Sequence, residues 1–226
     1  MLYIYSGDVP DLDSQLLQAL SGQGQLKVIA PCASEIEISL DISNHFCHLG
    51  INATPLSGKA YTSHDKLKKE VLASQAVFLC GGNTYAFLAF AKKINLFSVL
   101  AELEKNNKII AAESAGSIIL SKTIATAGIP TSCPDDNDVN IQDLNAMGRI
   151  PFHISPHFDP VDEFCAADIV ELQALATDSG QPVLLLEDGE GFIMKNQEII
   201  QFFGREKYLN PERLESPHRK QYQPAL

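Results

Sequence analysis

From Leu2 to Leu120, short apolar runs alternate with helix-length amphipathic segments, and that alternation excludes most architectures open to a chain of this size. The runs at 2–5, 26–30, 51–55, 76–80 and 108–112 have the length and residue types of strands. Segments 11–20, 34–49, 64–73, 83–91 and 96–104 carry helical periodicity, the second opened by a Ser34-x-x-Glu37 capping signal. Continuous apolar strands such as AVFLC at 76–80 are buried on both faces. A sheet achieves that when crossover helices cover both of its sides, so the pattern predicts an α/β fold around a mostly parallel sheet. After Lys122 the alternation stops. Residues 125–150 are rich in Asp, Asn and Pro, and a loop that long inside a compact domain is usually functional or disordered. Strands are predicted again at 152–154, 183–186, 191–194 and 198–202, with a helix over 161–176 and a polar, proline-bearing tail from Asn210. No internal repeat and no linker divides the chain, so one domain over 1–226 is expected.

A formal charge of -11 and a pI near 4.9 remove the basic footprint that nucleic acid or an anionic membrane would require. Five scattered cysteines, Cys32, Cys47, Cys80, Cys133 and Cys165, form no CxxC pair. They read as free thiols in a reducing compartment. The N-terminus has no basic region before its short apolar run, and no apolar stretch reaches the ~18 residues of a spanning helix. A cytoplasmic, soluble protein is expected.

Four segments carry candidate chemistry. In Ala112-Glu113-Ser114-Ala115-Gly116 a buried strand runs straight into a helix with a serine at the corner, the layout of a nucleophile elbow. The helix behind Ser114 points free N–H groups and its positive dipole end at developing negative charge. Serine is also a preferred helix cap, so this motif alone leaves two readings open. In Cys80-Gly-Gly-Asn-Thr84 two glycines follow a buried strand, where backbone N–H groups can approach a substrate oxygen. In His153-Ile-Ser-Pro-His157-Phe, His157 sits in a loop just past an apolar run, with His153 as its rival for the role of base. Glu187, Asp188 and Glu190 follow the run 183–186, and any of them can orient a histidine. His45 and His48 share a helix face with no carboxylate nearby in sequence and read as surface residues. The Asp135–Asn140 run lacks the glycine and closing glutamate of a calcium loop, so no metal ligands are expected.

Together CGGNT (80–84), ESAGS (113–117), DLNAMGRIPFHISPHF (143–158) and LEDGEGFIM (186–194) resemble the peptidase E family, serine peptidases S51, which includes α-aspartyl dipeptidases and more distantly cyanophycinases. The resemblance implies a three-layer α/β/α sandwich like the class I glutamine amidotransferase domain. It implies Ser114 as nucleophile, His157 as base and Asp188 as acid, with Glu190 and Glu187 behind it. The implied oxyanion donors are the N–H groups of Gly82 and Ala115. No cofactor is needed, and the expected partner is a short peptide, a dipeptide if the long loop roofs the site. If the chain assembles, a homodimer is expected, and an inactive peptide- or small-molecule-binding relative of the same fold is the alternative reading.

Two departures from the family pattern bear on function. Ala112 stands where the elbow usually has glycine. The stretch after PHF, where aspartyl peptidases of the family carry an arginine, reads DPVDEFCAADIVELQAL without a cation. No Lys or Arg lies between Arg149 and Lys195. An aspartyl side chain would then depend on Arg149, Lys122 or the neutral donors Asn83 and Thr84, so Asp-X specificity is not expected.

Overall fold

The computed structural model describes residues 1–20, 24–129, 134–162 and 165–212. The apolar runs of the first half become strands β1 (Leu2–Ser6), β2 (Gln25–Ile29), β3 (Asn52–Pro55), β4 (Ala76–Leu79) and β5 (Ile109–Glu113). Between them lie helices α1 (Pro10–Leu20), α2 (Ile36–His48), α3 (His64–Ala73), α4 (Thr84–Ile94) and α5 (Leu96–Lys105). The five strands pair in parallel in the order β3-β2-β4-β5-β1. An antiparallel hairpin, β8 (Glu190–Lys195) and β9 (Glu198–Phe203), extends the sheet beyond β1 to seven strands.

Period-two alternation divides the core into two layers. Ile4, Ile29, Leu79, Ile110 and Phe192 face one side and pack with Leu67 of α3, Leu88 of α4 and Leu100 of α5. Tyr3, Tyr5, Val28, Phe78 and Ala111 face the other and pack with Leu12 and Leu16 of α1 and Phe46 of α2. The result is an α/β/α sandwich.

A second sheet, β10 (Lys207–Leu209), β7 (Val183–Leu185) and β6 (His153–Ser155), lies outside the first. One of its faces joins the main core through Phe152, Ile154 and Leu184. The other takes Leu172 and Ala176 of helix α7 (Cys165–Ser179) against Val183 and Leu185. The strand signals at 152–154 and 183–186 are therefore real, but periodicity does not say which sheet a strand joins.

One expectation is corrected. The Ser34-x-x-Glu37 signal does not cap α2. Residues Ala33–Glu35 form a 3-10 turn and α2 begins at Ile36 without a side-chain cap, while Ser34 Oγ turns to Cys32 Sγ at 3.0 Å. His45 and His48 are exposed, as expected of surface residues, and Asp13 of α1, distant in sequence, meets His45 Nε2 at 2.9 Å. Cys133 and the tail from Arg213 lie outside the described residues.

Candidate active site

Strand β5 ends at Glu113 and helix α6 (Ala115–Ile118) begins after a single intervening residue. Ser114 fills the corner with φ 50° and ψ −118°, a positive φ that costs a non-glycine residue roughly 1–3 kcal/mol and persists only where its surroundings hold it. Here they do. The Ser114 N–H donates to Tyr5 O (3.3 Å), and its carbonyl accepts from the N–H groups of Ser117 (2.8 Å) and Ile118 (3.0 Å). Ser117 Oγ donates to Ala112 O at 2.8 Å, bracing the strand end from beneath. Gly116 is imposed by packing, since a Cβ there would stand 2.3 Å from Leu79 O. Ala112 instead lies within β5, opposite Ile4 and Leu79 in the register, where its methyl group is buried in the core.

The turn after β4 passes against the serine. A Cβ on Gly81 would lie 3.3 Å from Ser114 Cβ and 3.7 Å from its Oγ. Gly82 has φ 122° and is wedged against the β2–α2 connection, where a Cβ would meet Glu35 Oε2 at 2.4 Å and Pro31 Cγ at 2.7 Å. Among the described residues no hydrogen bond uses the Gly82 N–H. Ala115 opens α6, so no preceding turn accepts from its N–H. Asn83 caps α4, accepting from the Ala86 N–H (2.8 Å), and its Nδ2 donates to Asp136 O (2.9 Å). The Thr84 N–H donates to Asp135 Oδ2 at 2.9 Å, and the Thr84 side chain is buried. These two residues fasten the segment after Pro134 over the glycine turn. Asn83 also lines a cavity of about 540 Å³ beside it.

His157 approaches from the other side. Its N–H donates to Ser6 Oγ at the end of β1 (2.9 Å), and the next N–H, of Phe158, donates to Leu186 O (2.9 Å). Like Ser114 it holds a positive φ, 55°. Its Nδ1 meets Asp188 Oδ1 at 2.5 Å, and Asp188 lies over Gly7, just past β1. Glu190 is engaged elsewhere, accepting from the N–H groups of Glu187 (2.9 Å) and Arg205 (2.7 Å). His153 is turned away, buried with Nε2 at 3.1 Å from Ser179 Oγ of α7, and burial pushes its pKa down. Among the described residues no hydrogen bond yet joins His157 to Ser114 Oγ.

The electrostatics are acidic. Burial pushes the Glu113 carboxyl above the ordinary range, and Asp8, Asp13 and Asp188 add to the rise while His157 opposes it. The opposing influence of His157 places Glu113, the neighbour of Ser114, within reach of the imidazole's charge. Arg149 pairs with Glu104 (2.7 Å) beside Met1 and Leu2, at the end of the sheet opposite the elbow. It cannot serve a substrate at Ser114. Among the described residues no three His, Cys, Asp or Glu side chains gather as a metal site, and no helix is long and apolar enough to cross a membrane.

Sequence reasoning missed Ser6, Glu35, Glu113 and Lys93. Ser6 and Glu113 end parallel strands on the side where such sheets collect their sites, and Glu35 follows a third. Lys93 shares a helix face with Asn83, Ala86 and Phe90 and lines the same cavity.

The model of peptidase family S51 matches residues 3–202. Peptidase E of Shewanella amazonensis is 22% identical over 214 residues, which cover 90% of this chain and 86% of that protein. A crystal structure of a Listeria monocytogenes EGD-e protein named as a peptidase E superposes with a TM-score of 0.70 at 20% identity, covering 88% of this chain and 96% of the other. A peptidase from an acI-B1 actinobacterium gives a TM-score of 0.65 at 13% identity, over 93% of each chain.

Proposed function

Because this chain belongs to peptidase family S51, we propose that it is a serine peptidase of short peptides in which Ser114 forms the acyl-enzyme. Ser114 Oγ attacks the scissile carbonyl while His157 Nε2 takes its proton, and Asp188 at Nδ1 holds the imidazole in the tautomer that can accept it. The N–H groups of Gly82 and Ala115 receive the oxyanion. The intermediate then expels the amine, which leaves with the proton from His157, and water releases the acyl group by the reverse sequence. Substrate closes the His157–Ser114 contact, as is common where the free enzyme holds its partners loosely.

The observation that carries this reading is the positive φ of Ser114 at a strand-to-helix corner with Gly81 against its Oγ. A serine that merely capped a helix would have no reason to hold that conformation. The test is a panel of X-Leu dipeptides against the wild type and Ser114→Ala. Turnover should vanish in the variant with its fold intact, and Asp-Leu should be a poor substrate. Retained turnover removes the serine mechanism. Asp-Leu preferred by tenfold or more, about 1.4 kcal/mol of transition-state discrimination, would show that a cation serves an acidic side chain after all.

A further inference from the structure

Sheet order fixes which half of a substrate lies where. The nucleophile strand β5 stands between β1 and β4, with β2 beyond β4. His157 is bound to the β1 side through Ser6 and Asp188. In acyl transfer the histidine must hand its proton to the leaving amine, so the leaving half of the peptide lies on the β1 side. The acyl half, which carries the peptide's amino terminus, lies across the glycine turn toward β4 and β2. The cavity of about 540 Å³ is there.

Resting on the serine-peptidase reading, we propose that Glu35 determines specificity by binding the free α-ammonium of the substrate's amino-terminal residue. The α-nitrogen is two bonds from the scissile carbonyl carbon, so its partner must stand beside the oxyanion donors and not deep in a side-chain pocket. Glu35 Oε2 does so, close enough to Gly82 that a Cβ there would lie 2.4 Å away. Cys32 Sγ donates to the other oxygen, Oε1, at 3.2 Å and fixes the carboxylate's direction. Beyond Glu35 the cavity wall is formed by Tyr61, Ala86, Ala89 and Phe90, which suit an apolar or long-stemmed side chain. Among the described residues Lys93 is the one cation lining the cavity, against Glu35, Asp136 and Asp138, so the field of the cavity favours positive charge. An ammonium in reach of a fixed carboxylate makes a charge-assisted hydrogen bond, which an acetylated nitrogen cannot make.

The experiment compares kcat/KM for Leu-Leu and Nα-acetyl-Leu-Leu in the wild type and in Glu35→Gln, with fluorophosphonate labelling of Ser114 followed in both. The wild type should prefer the free amine strongly, and Glu35→Gln should reduce that preference about 10- to 100-fold, mainly through the KM of Leu-Leu, while Ser114 is still labelled. Equal cleavage of both peptides by the wild type overturns the proposal. So does a variant that loses both substrates and labelling together, since Glu35 would then only support the Gly82 turn. If Glu35→Gln fails to fold, Glu35→Asp carries the test: a partly reduced preference supports the proposal and an unchanged one refutes it. Failure of Ser114 labelling in the wild type would strike the serine mechanism itself, a separate outcome.

Discussion

Replacing Asp188 by asparagine should cripple the enzyme chemically and leave its fold nearly untouched, whereas Glu190→Gln should do the reverse. His157 Nδ1 and Asp188 Oδ1 are 2.5 Å apart, and their side chains are 46% and 72% exposed. Coulomb stabilisation of so exposed a pair is screened, so the main role of Asp188 is to keep the proton on Nδ1. An asparagine would turn its amide to donate to Nδ1, leaving Nε2 protonated and unable to act as a base. For buried acids that tautomer change costs about 10⁴-fold in kcat. With this exposure, water and rotation restore part of the loss, and about 10²- to 10⁴-fold is expected, roughly 2.7–5.5 kcal/mol of barrier. Glu190 accepts from two backbone N–H groups, those of Glu187 and Arg205. Glutamine keeps one acceptor and turns an NH₂ toward the other donor, which should lower stability by about 1–3 kcal/mol. For a chain of this length that is about 2–4 °C in Tm per kcal/mol. Steady-state hydrolysis of Leu-Leu and thermal melts of both variants measure the two effects. A larger fall in kcat/KM for Glu190→Gln than for Asp188→Asn would make Glu190 the acid and refute the reasoning.

Two further outcomes follow from strain and burial. Ser114→Gly should raise stability by about 1 kcal/mol while abolishing turnover, since glycine adopts positive φ without the side-chain penalty; a lower midpoint in urea would show that the corner is not strained. Glu113 has its folded-state pKa raised by burial, so the folded protein binds that proton more tightly than the unfolded chain. Its contribution is therefore fully present below the ordinary glutamate pKa and is lost as pH rises through the raised value. Glu113→Gln should melt higher than the wild type above that window, with the difference closing as pH falls below about 4.3; a constant difference at all pH values would contradict the assignment.

Much of this architecture is legible because it rests on local periodicity. The 64–73 helix has the observed bounds His64–Ala73, and the buried strand 76–80 differs by one residue from Ala76–Leu79. Sheet membership was not legible, because β6 and β7 leave the main sheet for long-range packing with α7 that no local pattern encodes. Strand β10 is three residues long, too short for alternation to register. The motif around Ser114 could be read from a strand running into small residues. Its distinction from a helix cap could not, since that rests on a φ angle. Residue type alone did not choose among Glu187, Asp188 and Glu190, which are all polar and close in the chain, and only the family resemblance put Asp188 first. In the fold Asp188 meets His157, while Glu190 accepts from two backbone N–H groups. Glu35 and Lys93 escaped notice because each is an ordinary surface-type charge until the fold brings both to one cavity.

Everything in the mechanism depends on Ser114 being a nucleophile activated by His157. Treating the wild type with a fluorophosphonate and mapping the adduct by mass spectrometry tests this most directly. The account predicts one adduct per chain on the peptide containing Ser114, absent in Ser114→Ala and formed far more slowly in His157→Ala. An unmodified Ser114, or an adduct that forms at the same rate without His157, would contradict it.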